Sequence, residues 1–240
     1  MSAARIVVIG ANGAIGAALL DCYRQAQPEA QILACSRQPL AATPNNVSWR
    51  RVDVTDESSI AAAALEAAAG GPLDRLVICT GLLHDATHAP EKSLQALDPE
   101  WLRQNFEINT IGPALVFKHF LRLLRRDERA VCAALSARVG SIGDNRLGGW
   151  YSYRAAKAAL NMLIATAAIE LRRSHPQALL IGLHPGTVDS ALSAPFQGRL
   201  RPGQLQTPQQ AAGKLRQVIE TADVSTSGCC LAWDGSVIPP

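Results

Sequence analysis

Tyr153 and Lys157 stand four residues apart in the segment Ser152-Tyr153-Arg154-Ala155-Ala156-Lys157, inside a stretch of helical length. That spacing puts both side chains on one helix face. A free phenol has a pKa of about 10, a poor match to proton transfer at neutral pH, and a nearby ammonium favours the phenolate and lowers it. The pair is therefore a candidate for moving a proton, as an acid in carbonyl reduction or a base in alcohol oxidation. Ser152 stands where a helix N-cap belongs.

A second constellation lies near the N-terminus. An apolar run ends in Gly10-Ala11-Asn12-Gly13-Ala14-Ile15-Gly16, and a helical stretch follows. Glycines permit a tight turn and let backbone approach a pyrophosphate resting on the helix N-terminus. The spacing is G-x-x-G-x-x-G rather than the dinucleotide-binding G-x-G-x-x-G. After the second apolar run the chain reads Ala34-Cys35-Ser36-Arg37. An acid there would hold a ribose 2′-hydroxyl, whereas an arginine accommodates a 2′-phosphate. Ser36 and Arg37 thus predict NADP(H) in preference to NAD(H).

These groups need a scaffold. Strands are expected at Arg5–Ile9, Gln31–Ser36, Val47–Asp53, Arg75–Cys79, Ala130–Leu135, Leu179–His184 and Cys229–Trp233. Helical stretches at Ala14–Ala26, Ser58–Ala69, Pro99–Arg126 and Ser152–Arg173 separate many of them. Strands that alternate with helices imply βαβ units, a parallel sheet and right-handed crossovers. Their almost wholly apolar character fits a sheet buried on both faces. The fold expected is α/β: a three-layer, doubly wound parallel sheet of the Rossmann type, one domain over residues 1–240. The stretch Ser190–Pro208, rich in Pro, Gly and Gln, is expected to form a substrate lid.

Composition narrows the class. A net charge of +3 does not suggest a nucleic-acid surface, and the run Arg122, Arg125, Arg126, Arg129 reads as a solvated helix end. Cys22, Cys35, Cys79 and Cys132 are isolated in apolar segments and Cys229–Cys230 are neighbours, so neither a disulfide framework nor a metal spacing is read. This points to a reducing compartment. The N-terminus runs directly into a strand, and the longest apolar stretch, Ala158–Ile169, is too short to span a bilayer. A cytoplasmic protein without a membrane partner is expected. His84 and His88 read as a solvent-facing pair, and His184 as a packed histidine.

Over nearly its full length the chain resembles the short-chain dehydrogenase/reductase family. The resemblance is carried by Gly10–Gly16, Val52-Asp53-Val54, Ile108-Asn109-Thr110, Tyr153–Lys157 and His184-Pro185-Gly186-Thr187, in the family's order. The stretch from Arg138-Val139-Gly140-Ser141-Ile142 to Gly148-Gly149-Trp150-Tyr151, with Trp233-Asp234-Gly235, is similar to the subgroup holding the bacterial C-factor and the sniffer-type carbonyl reductases. The resemblance implies that Gly10, Asn12, Gly13, Ile15 and Gly16 hold the pyrophosphate, and that Asp53 and Val54 contact adenine. It implies that Gly81, Pro185, Gly186 and Thr187 line the nicotinamide half, where Tyr153 and Lys157 also touch the cofactor. Asn109 would kink a helix and hold a relay water. A small carbonyl or alcohol substrate and a homodimer or homotetramer are implied as well; the Ala-rich face of Ala155–Ile169 suits such an assembly.

Three departures stand out. Cys79-Thr80-Gly81 replaces the family's Asn-Ala-Gly, and Ala14 replaces a glycine. The family's catalytic serine is the second of a Ser-Ser pair, which here reads Ser136-Ala137. Ser141 is the expected replacement as carbonyl-orienting group, with Ser136 turned to the other face. The competing reading is a nucleotide-binding regulatory or signalling protein with little turnover, which Ala137 favours and the retained Tyr153, Lys157 and Asn109 oppose.

Overall fold

The computed structural model describes residues 3–240. Side chains along its strands divide by parity. In β1 (Arg5–Ile9), Ile6 and Val8 enter one apolar cluster, while Val7 and Ile9 enter another. In β2 (Gln31–Ser36), Ile32 and Ala34 part in the same way from Leu33 and Cys35. Successive residues of a strand face opposite sides, so continuous apolar runs demand cover on both. Helices α1 (Ala14–Ala26) and α6 (Pro208–Thr221) supply it on one face, contributing Leu19 and Leu215. Helices α2 (Glu57–Ala69), α4 (Gly112–Phe120) and α5 (Tyr151–Ser174) supply it on the other, with Ile60, Phe117 and Leu160.

The remaining main-sheet strands are β3 (Val47–Arg51), β4 (Arg75–Ile78), β5 (Ala130–Leu135), β6 (Ala178–His184), β9 (Cys230–Ala232) and β10 (Val237–Ile238). Their order is β10-β9-β6-β5-β4-β1-β2-β3, parallel except for the final β9–β10 pair. This is the doubly wound α/β sheet expected. The chain leaves β1 toward β2 and β3, then returns to β4 on the other side of β1. At such a reversal the connections diverge and open a crevice at the carboxyl ends of the strands. A separate ribbon pairs β7 (Thr187–Val188) with β8 (Leu205–Gln206).

Strand ends fall within two residues of expectation, and Cys79 N–H still bonds the Ile9 carbonyl at 2.7 Å beyond β4. The expected helix Pro99–Arg126 is broken. It consists of α3 (Pro99–Phe106), a π-helical turn Glu107–Ile111, α4 and a 3-10 turn Leu121–Leu123. Pro113 has no N–H to bond the Asn109 carbonyl, and the Gly112 N–H reaches back to Glu107. Ser190–Pro208 also carries structure: a 3-10 turn Ala194–Arg199, then β8, then Pro208 as the first residue of α6 behind a Thr207–Gln210 capping box. No helix among the described residues is long and apolar enough to cross a membrane.

The outer face of the β4–α6 contact is tied by charge. Arg75 meets Glu220 through Nε at 3.1 Å and Nη2 at 2.5 Å, both side chains mostly buried. Arg129 donates to the Ile219 and Ala222 carbonyls at the end of α6. Glu220→Ala leaves the partly buried Arg75 guanidinium with only the Asp74 carbonyl as acceptor. It should lower the unfolding free energy by about 2 kcal/mol, measured as an earlier midpoint in urea.

Candidate active site

The Gly-rich turn is shaped by close contacts. Gly10 has φ +85°, and a Cβ there would lie 3.0 Å from the Cys79 carbonyl carbon. A Cβ on Gly16 would stand 2.2 Å from the Gly10 carbonyl oxygen, so α1 can sit against the turn only with glycine at that position. Ala14, the departure, occupies the first position of α1. Gly13 is the N-cap and makes no side-chain bond, and no acid stands in the first turn. The helix therefore presents free N–H groups and positive dipole to the cleft. Asn12 Nδ2 binds the Gln38 and Pro39 carbonyls, fastening the turn to the loop after β2.

That cleft, about 690 Å³, is lined by Gly10, Asn12, Gly13, Ser36, Arg37, Asp53, Val54 and Gly81. The cradle left by absent Cβ atoms and the uncapped helix end fit a dinucleotide. Ile15 lies in the first turn of α1. Arg37 is exposed. The Ser36 hydroxyl, by contrast, is bonded within the protein, donating to the Gln38 carbonyl at 2.6 Å and accepting from Trp49 Nε1 at 2.9 Å. Burial would raise the Asp53 carboxyl, but bonds from Thr55 and the charges of Arg37 and Arg51 outweigh it and hold it below the usual range. Arg51 went unnoticed in the sequence; it pairs across the sheet with Ser36.

Lys157 is 2% exposed, and its ammonium donates to the Leu135 carbonyl at the end of β5, 2.8 Å away. Nζ stands 5.8 Å from the Tyr153 ring centroid, within cation–π range. Burial lowers the lysine to about 8 and pushes the Tyr153 phenol above its usual value. The phenol shift is opposite in sign to the sequence expectation, because removal from water disfavours the phenolate. Asn109, wholly buried in the π turn, grips Leu82 at two points: Oδ1 accepts its N–H at 3.0 Å and Nδ2 donates to its carbonyl at 2.8 Å. A Cβ on Gly81 would lie 3.4 Å from Asn109 Oδ1 and 3.9 Å from Lys157 Nζ. The π turn, the β4 loop and α5 thus converge.

Pro185 accepts a bond from Gln206 Nε2 at 3.1 Å, and Gly186, φ +74°, lies under Gln206 and the Trp233 ring. Thr187 begins β7, so the β7–β8 ribbon closes the base of the loop 189–204. From that loop Leu192 Cδ1 comes within 4.0 Å of a Cβ position on Gly81.

The serines do not meet expectation. Ser141 is 2% exposed; its oxygen accepts from Asp144 N–H at 3.0 Å and its proton goes to the Pro240 carbonyl at 3.4 Å. It is covered by the C-terminal segment rather than turned to Tyr153. Ser136 is also buried and donates to Asn161 Oδ1 at 2.6 Å. Ser152 is not the N-cap of α5: Trp150 is, with φ +55°, a left-handed conformation that costs a non-glycine residue about 1–2 kcal/mol. Ser152 instead binds Glu91, a buried carboxylate invisible to motif reading. His88 bonds Asp85 and stacks on Trp101, whereas His84 meets Phe196.

Residues 4–199 match the family described as short chain dehydrogenase. The chain belongs to that family. It is an oxidoreductase of the class that interconverts CH–OH and C=O. Among relatives, 1-hydroxy-2-glutathionyl-2-methyl-3-butene dehydrogenase of Rhodococcus sp. (strain AD45) is 35% identical over 187 residues, 78% of this chain and 77% of that one. The C-signal protein of Myxococcus xanthus is 32% identical over 139 residues, 58% of this chain and 78% of its own. The NADPH-bound carbonyl reductase from chicken fatty liver superposes with a TM-score of 0.85 at 25% identity, covering 100% of this chain and 95% of the other.

His184 gives this short-chain dehydrogenase a pH-dependent term. Burial first, then the Arg138 charge, lowers its imidazole from 6.5 to about 4, and Nδ1 is buried without a partner among the described residues. Between those values the unfolded chain binds a proton that the native state refuses, so stability falls as pH drops through the window and levels off below it. The term amounts to at most about 3 kcal/mol. His184→Gln should flatten the thermal midpoint between pH 6.5 and 4 relative to the parent.

Proposed function

We propose that this short-chain dehydrogenase reduces a small carbonyl compound with NADPH, Tyr153 giving the proton. The observation that carries the reading is the Tyr153–Lys157 pair, 5.8 Å from ring centroid to ammonium, with Lys157 Nζ set against Gly81, a residue of the same cleft that the Gly-rich turn lines. When bound, NADPH supplies a hydride to the carbonyl carbon. Tyr153 donates its O–H proton to the carbonyl oxygen. Lys157, whose pKa burial lowers to about 8, stands ready to return a proton to Tyr153. Asn109 fixes the Leu82 backbone and keeps the β4 loop against Lys157. Gly10, Asn12, Gly13, Ile15 and Gly16 would hold the pyrophosphate, Asp53 and Val54 the adenine end, and Gly81, Pro185, Gly186 and Thr187 the nicotinamide end. The loop between β7 and β8 is read as the substrate lid, with Leu192 over the Lys157 side.

With Ala137 in the family's serine position, Tyr153 alone polarises the carbonyl, and Ser141 braces the loop beneath the C-terminal segment. Tyr153→Phe keeps the ring and removes the proton. Carbonyl reduction should fall by about a hundredfold to ten-thousandfold, while NADPH binding survives. Ser141→Ala should lower kcat less than about tenfold, well short of the loss of an oxyanion donor. Steady-state kinetics on a panel of aldehydes and ketones reads both; a Tyr153→Phe enzyme as fast as the parent ends this mechanism.

The choice of NADPH rests on exposed Arg37 with Arg51 nearby and on the absence of an acid after β2. Arg37→Ala should weaken NADPH binding by about 2 kcal/mol, roughly thirtyfold, the loss of a charged contact. NADH binding should hardly change. Titration of cofactor fluorescence measures both, and equal affinity of the parent for the two cofactors refutes the assignment.

A further inference from the structure

Three rings that proton transfer does not require stand on the Tyr153 side of the cleft. The Trp150 centroid lies 6.3 Å from that of Tyr153, the planes at 68°. Phe196 is 5.1 Å from Trp150 at 54°, and His84 is 5.7 Å from Phe196 at 71°. The rings come from the entry to α5, the β7–β8 loop and the loop after β4. Each residue is only half-buried. Aromatic side chains contribute most when covered, and tilted rings leave slots that accept another flat group edge-on or offset. Half-exposed rings converging beside a reactive tyrosine have the character of a ligand-binding wall.

The backbone shows that the indole's place is imposed. Trp150 is the sole non-glycine with positive φ among the described residues, and it follows Gly148 and Gly149 at +62° and +65°. Such a conformation persists where the surroundings over-determine it. Here the Trp150 N–H donates to the Glu91 carbonyl at 2.5 Å, and the Glu91 carboxylate accepts from the Ser152 N–H at 3.2 Å and from its hydroxyl. Arg154 Nε holds the Gly149 carbonyl at 2.9 Å. His84 Nε2 meets the Ala191 carbonyl at 3.1 Å, fastening the β4 loop to the lid. Glycine or asparagine would take the left-handed position with less strain. The bulkiest side chain stands there, directed at Tyr153 and Phe196.

We infer that Trp150, with Phe196 and His84, is a specificity-determining surface that receives a planar, unsaturated group — aryl or conjugated — attached to the substrate carbonyl. This rests on the reading of Tyr153 as the proton donor, since that places the carbonyl next to the wall. A flat group gains offset and edge contacts with the rings that a puckered saturated ring of equal carbon count does not.

The test compares acetophenone with cyclohexyl methyl ketone, which share a methyl ketone and differ in planarity. Their dissociation constants are measured by calorimetry on the full chain, with and without saturating NADP+, which cannot reduce a ketone. The parent should bind the aryl ketone about three- to tenfold more tightly. Trp150→Asn, which tolerates the left-handed backbone, should erase the difference without lowering the thermal midpoint. Phe196→Leu should narrow it, and stands in for Trp150→Asn if that variant fails to fold. Equal affinity of the parent for both ketones overturns the proposal, as does a preference that survives loss of the ring. Absence of turnover with NADPH would instead count against the proton-donor reading and leave the binding difference intact.

Discussion

The ammonium of Lys157 is the group on which the rest of the site depends. A buried charge is tolerated only where dipoles or counter-charges replace water, and here the replacement is the carbonyl of Leu135 at the exposed end of β5. That bond sets how near α5 must lie to the sheet. Gly140 makes the approach possible, since a Cβ there would stand 2.8 Å from the Lys157 carbonyl carbon. On the other side the Thr110 hydroxyl donates to the Ala156 carbonyl at 2.8 Å, fastening the π turn to the same point of the helix. Asn109, one residue before, then carries the arrangement to the β4 loop through Leu82. Strand β5, helix α5, the π turn and the β4 loop are thus held around one charge.

The same burial acts on Tyr153 and Lys157 in opposite senses. In water their proton affinities are nearly equal, at reference values of 10.0 and 10.5. Removal from water favours the neutral form of each, raising the phenol and lowering the ammonium. The two shifts run in opposite directions, leaving the phenol a weaker acid and the ammonium a stronger one. The cost is an ammonium less stable than in water, met by an otherwise apolar core with regular strands.

Gly71 and Gly228 take left-handed conformations at the amino edge of the sheet, before β4 and β9, but the irregular backbone near the site lies at the other edge. Gly10, the π turn, the left-handed run from Gly148 to Trp150 and Gly186 all lie beyond the carboxyl ends of the strands. The body of the sheet, from Ile6 to Leu183, follows plain alternation into two apolar clusters. Packing of the sheet supplies the stability, and the loop edge uses part of it to hold conformations that isolated segments would abandon.

Local sequence decided what depends on neighbouring residues. The division of β1 and β2 side chains between two covered faces follows from their apolar runs, the face shared by Tyr153 and Lys157 from a spacing of four, and the turn after β1 from its glycines. The tertiary structure decided what depends on residues far apart in the chain. The π turn needs Pro113 and also the grip of Asn109 on Leu82, 27 positions away. Ser141 looks free in the sequence, but folding brings Pro240, 99 positions on, to accept its proton. The aromatic wall joins three segments that no motif links. The direction of the Tyr153 shift depends on burial, a property of the assembled core, whereas the sequence displays only the nearby lysine. Proximity along a helix is encoded residue by residue; solvent exclusion and long-range hydrogen bonds exist only once the chain has closed on itself.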